Sequence, residues 1–124
     1  MVKALFDTNI LIDYLNGVPA AKIELDRYTD KAISVITWME VLVGTTPDTD
    51  HATRSFLEGF QSLPIGAVVA GRSVELRKRH KIKLPDAIVW ATAQVSDRIL
   101  VTRNTKDFKA DEPGVRVPYR LTSN

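Results

Sequence analysis

Short apolar runs alternate with helix-patterned segments along the whole chain, and that alternation leaves few folds open. Val2–Phe6 is apolar apart from Lys3 and stops at Asp7. Ala32–Val35, Leu63–Ile65, Ile99–Thr102 and Val115–Val117 read as further short strands. The first helix opens at Thr8-Asn9, carries Ile10, Leu11, Tyr14 and Leu15, and ends at Asn16-Gly17. Others are predicted from Pro19 to about Tyr28, Thr37 to Val43, Asp48 to Gln61, Val68 to Lys81 and Pro85 to about Ser96. Strand and helix in turn imply right-handed crossovers, hence an α/β three-layer sandwich with a central parallel sheet of four to five strands flanked by helices. Ligands of such sheets bind outside the carboxyl ends of the strands. Asp7 ends the first strand, and Asn104 and Asp107 lie just past the fourth. With no repeat, low-complexity stretch or linker, a single domain over residues 1–124 is expected.

The 124 residues include no cysteine, which excludes disulfide staples and thiolate metal sites. The N-terminus does not read as a signal peptide, and no stretch is apolar enough to span a membrane, so a cytoplasmic location is expected. Charge is unevenly spread. Residues 1–70 carry five Lys/Arg against nine Asp/Glu (net −4), and residues 71–124 carry twelve against six (net +6). An acidic part beside a basic part suits a cation site next to a bound polyanion.

Three acids stand alone. Asp7 is the only charge between Lys3 and Asp13, Glu40 the only one between Lys31 and Asp48, and Asp86 the only one between Lys83 and Asp97. On a helix, Glu40 shares a face with Ile36, Met39 and Val43, and Asp86 shares one with Val89, Trp90 and Ala93. Acids in apolar surroundings need a partner or a metal, and no Lys or Arg lies within these segments to pair with them. Asp7 also fits as a helix cap, and Asp86 as a first-turn acid favoured by the helix dipole. Glu40 has no such local role. Carboxylates brought together repel, and a hard divalent cation, Mg²⁺ or Mn²⁺, removes the conflict. Such an ion also suits phosphodiester hydrolysis.

The segments LFDTNILIDYL, ITWMEVLVG, LPDAIVWATA and LVTRNTKDF occur in that order. They resemble the motifs of PIN-domain nucleases, in particular the VapC-type toxins of type II toxin–antitoxin pairs, over nearly the whole chain. The resemblance implies a PIN-like sandwich and an acidic pocket for Mg²⁺ or Mn²⁺. In that pocket Asp7 matches the first-strand acid, Glu40 the acid of the third helix and Asp86 the acid opening the later helix. For the fourth position the choices are Asp107, which supplies charge, and Asn104, a neutral ligand or water-positioning group. Asn9, Thr37 and Thr102 are expected as supporting polar groups.

The implied function is an endoribonuclease toxin that hydrolyses RNA phosphodiesters. Its implied partners are a cognate antitoxin protein blocking the acidic pocket and a second copy in a homodimer. Arg103 and Lys106 are expected to position phosphates, as are Arg72, Arg77 and Arg79 in the basic run. Trp38 and Trp90 read as core residues. Two alternatives share the fold: an RNA-processing nuclease without an antitoxin, and a catalytically silent RNA-binding domain. A phosphoacceptor domain would want paired acids after the first strand, where Asp7 stands alone.

Overall fold

The computed structural model describes residues 2–121. Five strands, β1 (Lys3–Phe6), β2 (Asp30–Ser34), β3 (Gln61–Leu63), β4 (Ile99–Val101) and β5 (Val115–Arg116), form one sheet in the order β3-β2-β1-β4-β5. Every pairing is parallel, with Leu5 of β1 opposite Ala32 on one side and Leu100 on the other. Six helices connect them: α1 (Thr8–Leu15), α2 (Pro19–Asp26), α3 (Val35–Val43), α4 (Asp50–Leu57), α5 (Ala67–His80) and α6 (Leu84–Val95).

Alternation along the strands divides the core into two layers. Ala4 and Phe6 of β1 pack with Ile10, Leu11, Ile33, Val41, Leu57 and Val101 on one face of the sheet. Leu5 points the other way, into a layer with Leu76, Val89, Trp90, Leu100 and Phe108. Covering on both faces is what a parallel sheet requires, and it explains why Ala4, Leu5 and Phe6 are all fully buried. Trp90 is a core residue as expected, and Trp38 is half-buried against the first layer.

Three boundaries differ from the sequence reading. β2 ends at Ser34 and α3 begins at Val35, with no loop between them. The Ser34 hydroxyl accepts from the Ile36 amide at 3.2 Å, so a serine with strand geometry caps the helix that follows. α4 stops at Leu57, short of the expected Gln61. Gln61 opens β3 instead, opposite Ala32, and Pro64 closes it two residues earlier than predicted.

The chain runs outward from β1 through β2 to β3, then returns to the far side of β1 for β4 and β5. The order therefore reverses between β1 and β4, and the carboxyl ends of these strands are where open parallel sheets bind their ligands. Among the described residues no helix is long and apolar enough to cross a membrane.

Candidate functional site at the switch point

Asp7 is the first residue after β1, and its amide donates to Val101 O of β4 at 2.9 Å, so it sits at the reversal itself. Its carboxylate is buried but well supplied with donors. Oδ1 accepts from the Thr8 amide at 2.8 Å. Oδ2 accepts from the Thr102 hydroxyl at 2.8 Å and the Asn9 amide at 3.3 Å. Thr102 is fully buried at the end of β4, and its hydroxyl also accepts from the Asn104 amide at 3.0 Å. Asn9 Oδ1 in turn accepts from the Arg103 amide at 3.1 Å. The capping role and the central role of Asp7 therefore coexist in one side chain.

Glu40 reaches the same end of the sheet from α3, where it meets the neighbour of Asp7. The Thr8 hydroxyl lies 2.7 Å from Glu40 Oε1 and 3.0 Å from the hydroxyl of buried Thr37. A hydroxyl has one proton, so Thr8 donates to one of these two acceptors at a time. Thr8 was read from sequence only as a cap. Glu40 itself is exposed, contrary to the buried apolar face expected for it, because its neighbours Met39 and Val43 are 45% and 85% exposed. The helix buries Thr37 and Val41 instead.

Asp86, in the first turn of α6, faces Asp107, in the segment after β4, closely enough for the two carboxyl groups to perturb each other's titration. Asn104 fixes Asp107 from within that segment. Its Nδ2 donates to Asp107 Oδ2 at 3.0 Å, and its Oδ1 accepts from the Asp107 and Lys106 amides at 3.2 Å each. Both choices for the fourth position thus lie in one hydrogen-bonded unit, with Asn104 fixing the Asp107 carboxylate.

The electrostatics link the four acids in sequence. Burial pushes the Asp7 carboxyl above the usual range against its three hydrogen bonds, and Glu40 adds like-charge repulsion. Partial burial, the neighbouring Asp107 and the charge of Asp7 push Asp86 up to about 7. Asp107 lies below the usual range, chiefly because Asn104 donates to it, with Asp86, Lys83 and Lys106 adding to the effect. The pair therefore takes up or releases one proton near neutral pH, carried mainly by Asp86. Among the described residues no three of these side chains enclose a single ion-sized space.

A stability consequence follows. The folded protein holds the Asp86 proton up to about pH 7, whereas an unfolded Asp releases it near 3.8. This contribution to stability is fully present below pH 3.8 and is lost as pH rises through about 7. Raised Asp7 acts with the same sign, and lowered Asp107 acts mainly below pH 4. The metal-free protein is expected to be about 1–2 kcal/mol less stable at pH 8 than at pH 5, after discounting for solvent screening. Asp86→Asn should flatten that dependence in chemical denaturation.

The expected substrate-binding residues divide into two groups. Arg103 is bound to buried Asp13 of α1, Nε–Oδ2 2.6 Å and Nη2–Oδ1 2.9 Å, and the Tyr119 hydroxyl donates to the same carboxylate at 2.8 Å. Arg72 bonds Gln94 and Glu75, and Arg77 caps the Ile82 carbonyl. These three arginines tie elements together. Arg79 and Lys106 instead line a cleft that includes Asp107. Sequence reasoning missed Asp13, whose only signal is a charge on the apolar face of the first helix.

The family model for the PIN domain matches residues 4–111. The chain belongs to the PIN-domain family. This PIN domain is 30% identical over 112 residues to Ribonuclease VapC10 of Mycobacterium tuberculosis, covering 84% of each chain. It is 50% identical to a chain of a toxin–antitoxin complex from Klebsiella pneumoniae, with a TM-score of 0.91 over 96% of this chain and 100% of that one. FitAcB from Neisseria gonorrhoeae is similar at 26% identity and a TM-score of 0.78, covering 95% of this chain and 99% of the other. Within its family the chain is a PIN domain of the VapC type.

Proposed function

We propose that this PIN domain is a divalent-metal-dependent endoribonuclease and the toxin of a toxin–antitoxin pair. The observation that carries the reading is the line of acids Glu40, Asp7, Asp86 and Asp107 at the switch point, each close enough to the next to affect its titration. The names of its relatives, a ribonuclease and a toxin–antitoxin complex, support the same reading.

The donor set fits Mg²⁺ or Mn²⁺, because every group is a hard carboxylate oxygen and the site carries uncompensated negative charge. Mg²⁺ is commonly held by one or two carboxylates, with waters and substrate phosphates completing the shell, so four preassembled ligands are not required. Because no three of the acids converge in the metal-free arrangement, one or two of Asp7, Asp86 and Asp107 would hold the ion, with waters and substrate oxygens completing its shell, and Glu40 would flank it. When bound, the ion supplies Lewis acidity at the phosphoryl group and lowers the pKa of a coordinated water.

The protein's own contributions are positional and protolytic. Thr8, Asn9 and Thr102 fix both oxygens of Asp7. The Thr8 hydroxyl aligns Glu40. Asp86 exchanges a proton near neutral pH, where a base is most useful. Neither histidine belongs to this hydrogen-bonded group, so proton transfer falls to carboxylates.

Cleavage of single-stranded RNA with Mg²⁺, set against the same reaction in chelator, tests the proposal. RNA cut equally in both would end it. Asp107→Asn is expected to lower the rate at least about tenfold, about 1.4 kcal/mol of barrier, with Asn104→Ala lowering it less. Below pH 7, metal affinity should rise with pH as the Asp86 proton is displaced, which titration calorimetry in buffers of different ionisation heat would detect.

The exposed apolar residues Met39 and Val43 on α3 suit coverage by a partner. An antitoxin over the acidic site and a second copy of the chain are the two partners proposed. Co-purification with the product of a neighbouring antitoxin gene and light scattering of the isolated protein would check them.

A further inference from the structure

We propose that the cleft beside Asp107 is a nucleotide subsite for single-stranded RNA, binding a backbone phosphate through lysine and arginine and stacking one base on His80. It rests on the ribonuclease reading. The cleft, about 470 Å³, lies between the end of α5, α6 and the segment after β4. Asp107 is part of its wall, so it opens directly from the acidic group.

The lining cations are Arg79, Lys81, Lys106 and Lys109, set against Asp107 and Glu112. Among the described residues none of the four is in a salt bridge. The contrast is with Arg98, Arg103 and Arg116, each locked onto a carboxylate. The cleft therefore gathers side chains whose charge is not spent within the fold, next to the proposed cleavage point. Phosphate is the anion that RNA presents at every residue, and such contacts dominate its affinity.

Aromatic support is built in beneath them. The His80 ring is exposed and lies 4.7 Å from the Trp90 ring, tilted 53°. Trp90 is 4% exposed and meets buried Phe108 edge-on at 5.5 Å, so the imidazole is backed by fixed core rings. An exposed, backed ring beside phosphate-binding cations is how single-stranded bases are held, and a base in a duplex is not free to reach it.

The test uses full-length Asp7→Asn protein and a short fluorescent single-stranded RNA, followed by anisotropy across a salt series; wild-type protein in chelator serves equally should that variant fail to fold. Adding Lys81→Ala with Lys109→Ala should weaken binding roughly tenfold at low salt and flatten the log–log salt slope by about 1.4. His80→Ala should weaken binding at least about fivefold, and His80→Phe should restore it. A duplex of the same sequence should bind less tightly than the single strand. An unchanged salt slope in the double lysine variant, or His80→Phe as weak as His80→Ala, would overturn the subsite. RNA cutting by the wild type with an unaltered KM in these variants would also overturn it while leaving the nuclease intact. A wild type that cuts no RNA would remove the nuclease reading, and with it the proposal.

Discussion

Asp7→Asn is expected to reduce metal-dependent RNA cleavage by about 10³-fold, about 4 kcal/mol of barrier, while the protein stays folded. The substitution is nearly isosteric: the single amide oxygen can still accept from the Thr8 amide, and the new NH2 group faces the Thr102 hydroxyl, which can turn to accept from it. What it removes is, among the described residues, the one carboxylate that is both buried and at the strand reversal. Burial already works against that charge in the metal-free protein. The variant should therefore be at least as stable as the parent, by thermal melting in chelator, because a buried carboxylate with a raised pKa opposes folding at neutral pH. Loss of activity with unchanged or higher stability separates a functional acid from a structural one. A variant that melts early, or that cuts RNA like the parent, would remove Asp7 from the mechanism.

Arg103→Met is expected to cost about 2–3 kcal/mol of stability, lowering Tm by roughly 10 °C. The guanidinium meets Asp13 with two bonds, and Asp13 is 4% exposed. Removing it leaves that carboxylate with the Tyr119 hydroxyl as its remaining side-chain donor. Tyr119 itself is pushed up by burial and by Asp13, so it stays protonated and continues to donate. Because the residual bond and the partial exposure of Arg103 soften the loss, the figure lies below that for a fully buried pair. Pairing the change with Asp13→Leu should recover most of the stability, since two apolar groups leave no stranded charge. Were Arg103 a phosphate-positioning residue instead, Arg103→Met would raise KM and leave Tm alone. The two readouts decide between these roles.

Legibility from sequence followed whether the signal was local. The end of β1 at Asp7 was readable because an apolar run stops at a charge. The parallel sheet was readable because strands and helices alternate. The environment of Glu40 was not, because Met39 and Val43 suggest a buried stripe while in the fold that face meets solvent. Hydrophobic neighbours report burial only when something covers them. Arg103 resisted for a different reason: its partner Asp13 lies on α1, brought near only by the return of the chain to β4. The early start of β3 at Gln61 was hidden because its residues, two of them exposed, carry no apolar pattern, and pairing with β2 alone defines them.

The direct junction of β2 and α3 at Ser34 has an evolutionary corollary. With no spacer to absorb an insertion, adding one residue there would turn the helix by about 100° and swing Glu40 out of line. Asp107, Lys106 and Lys109 ride on the long excursion between β4 and β5, where length and composition can drift cheaply. One jaw of this site is stiff and the other pliant, so diversification of target preference among descendants of this chain should accumulate on the pliant side.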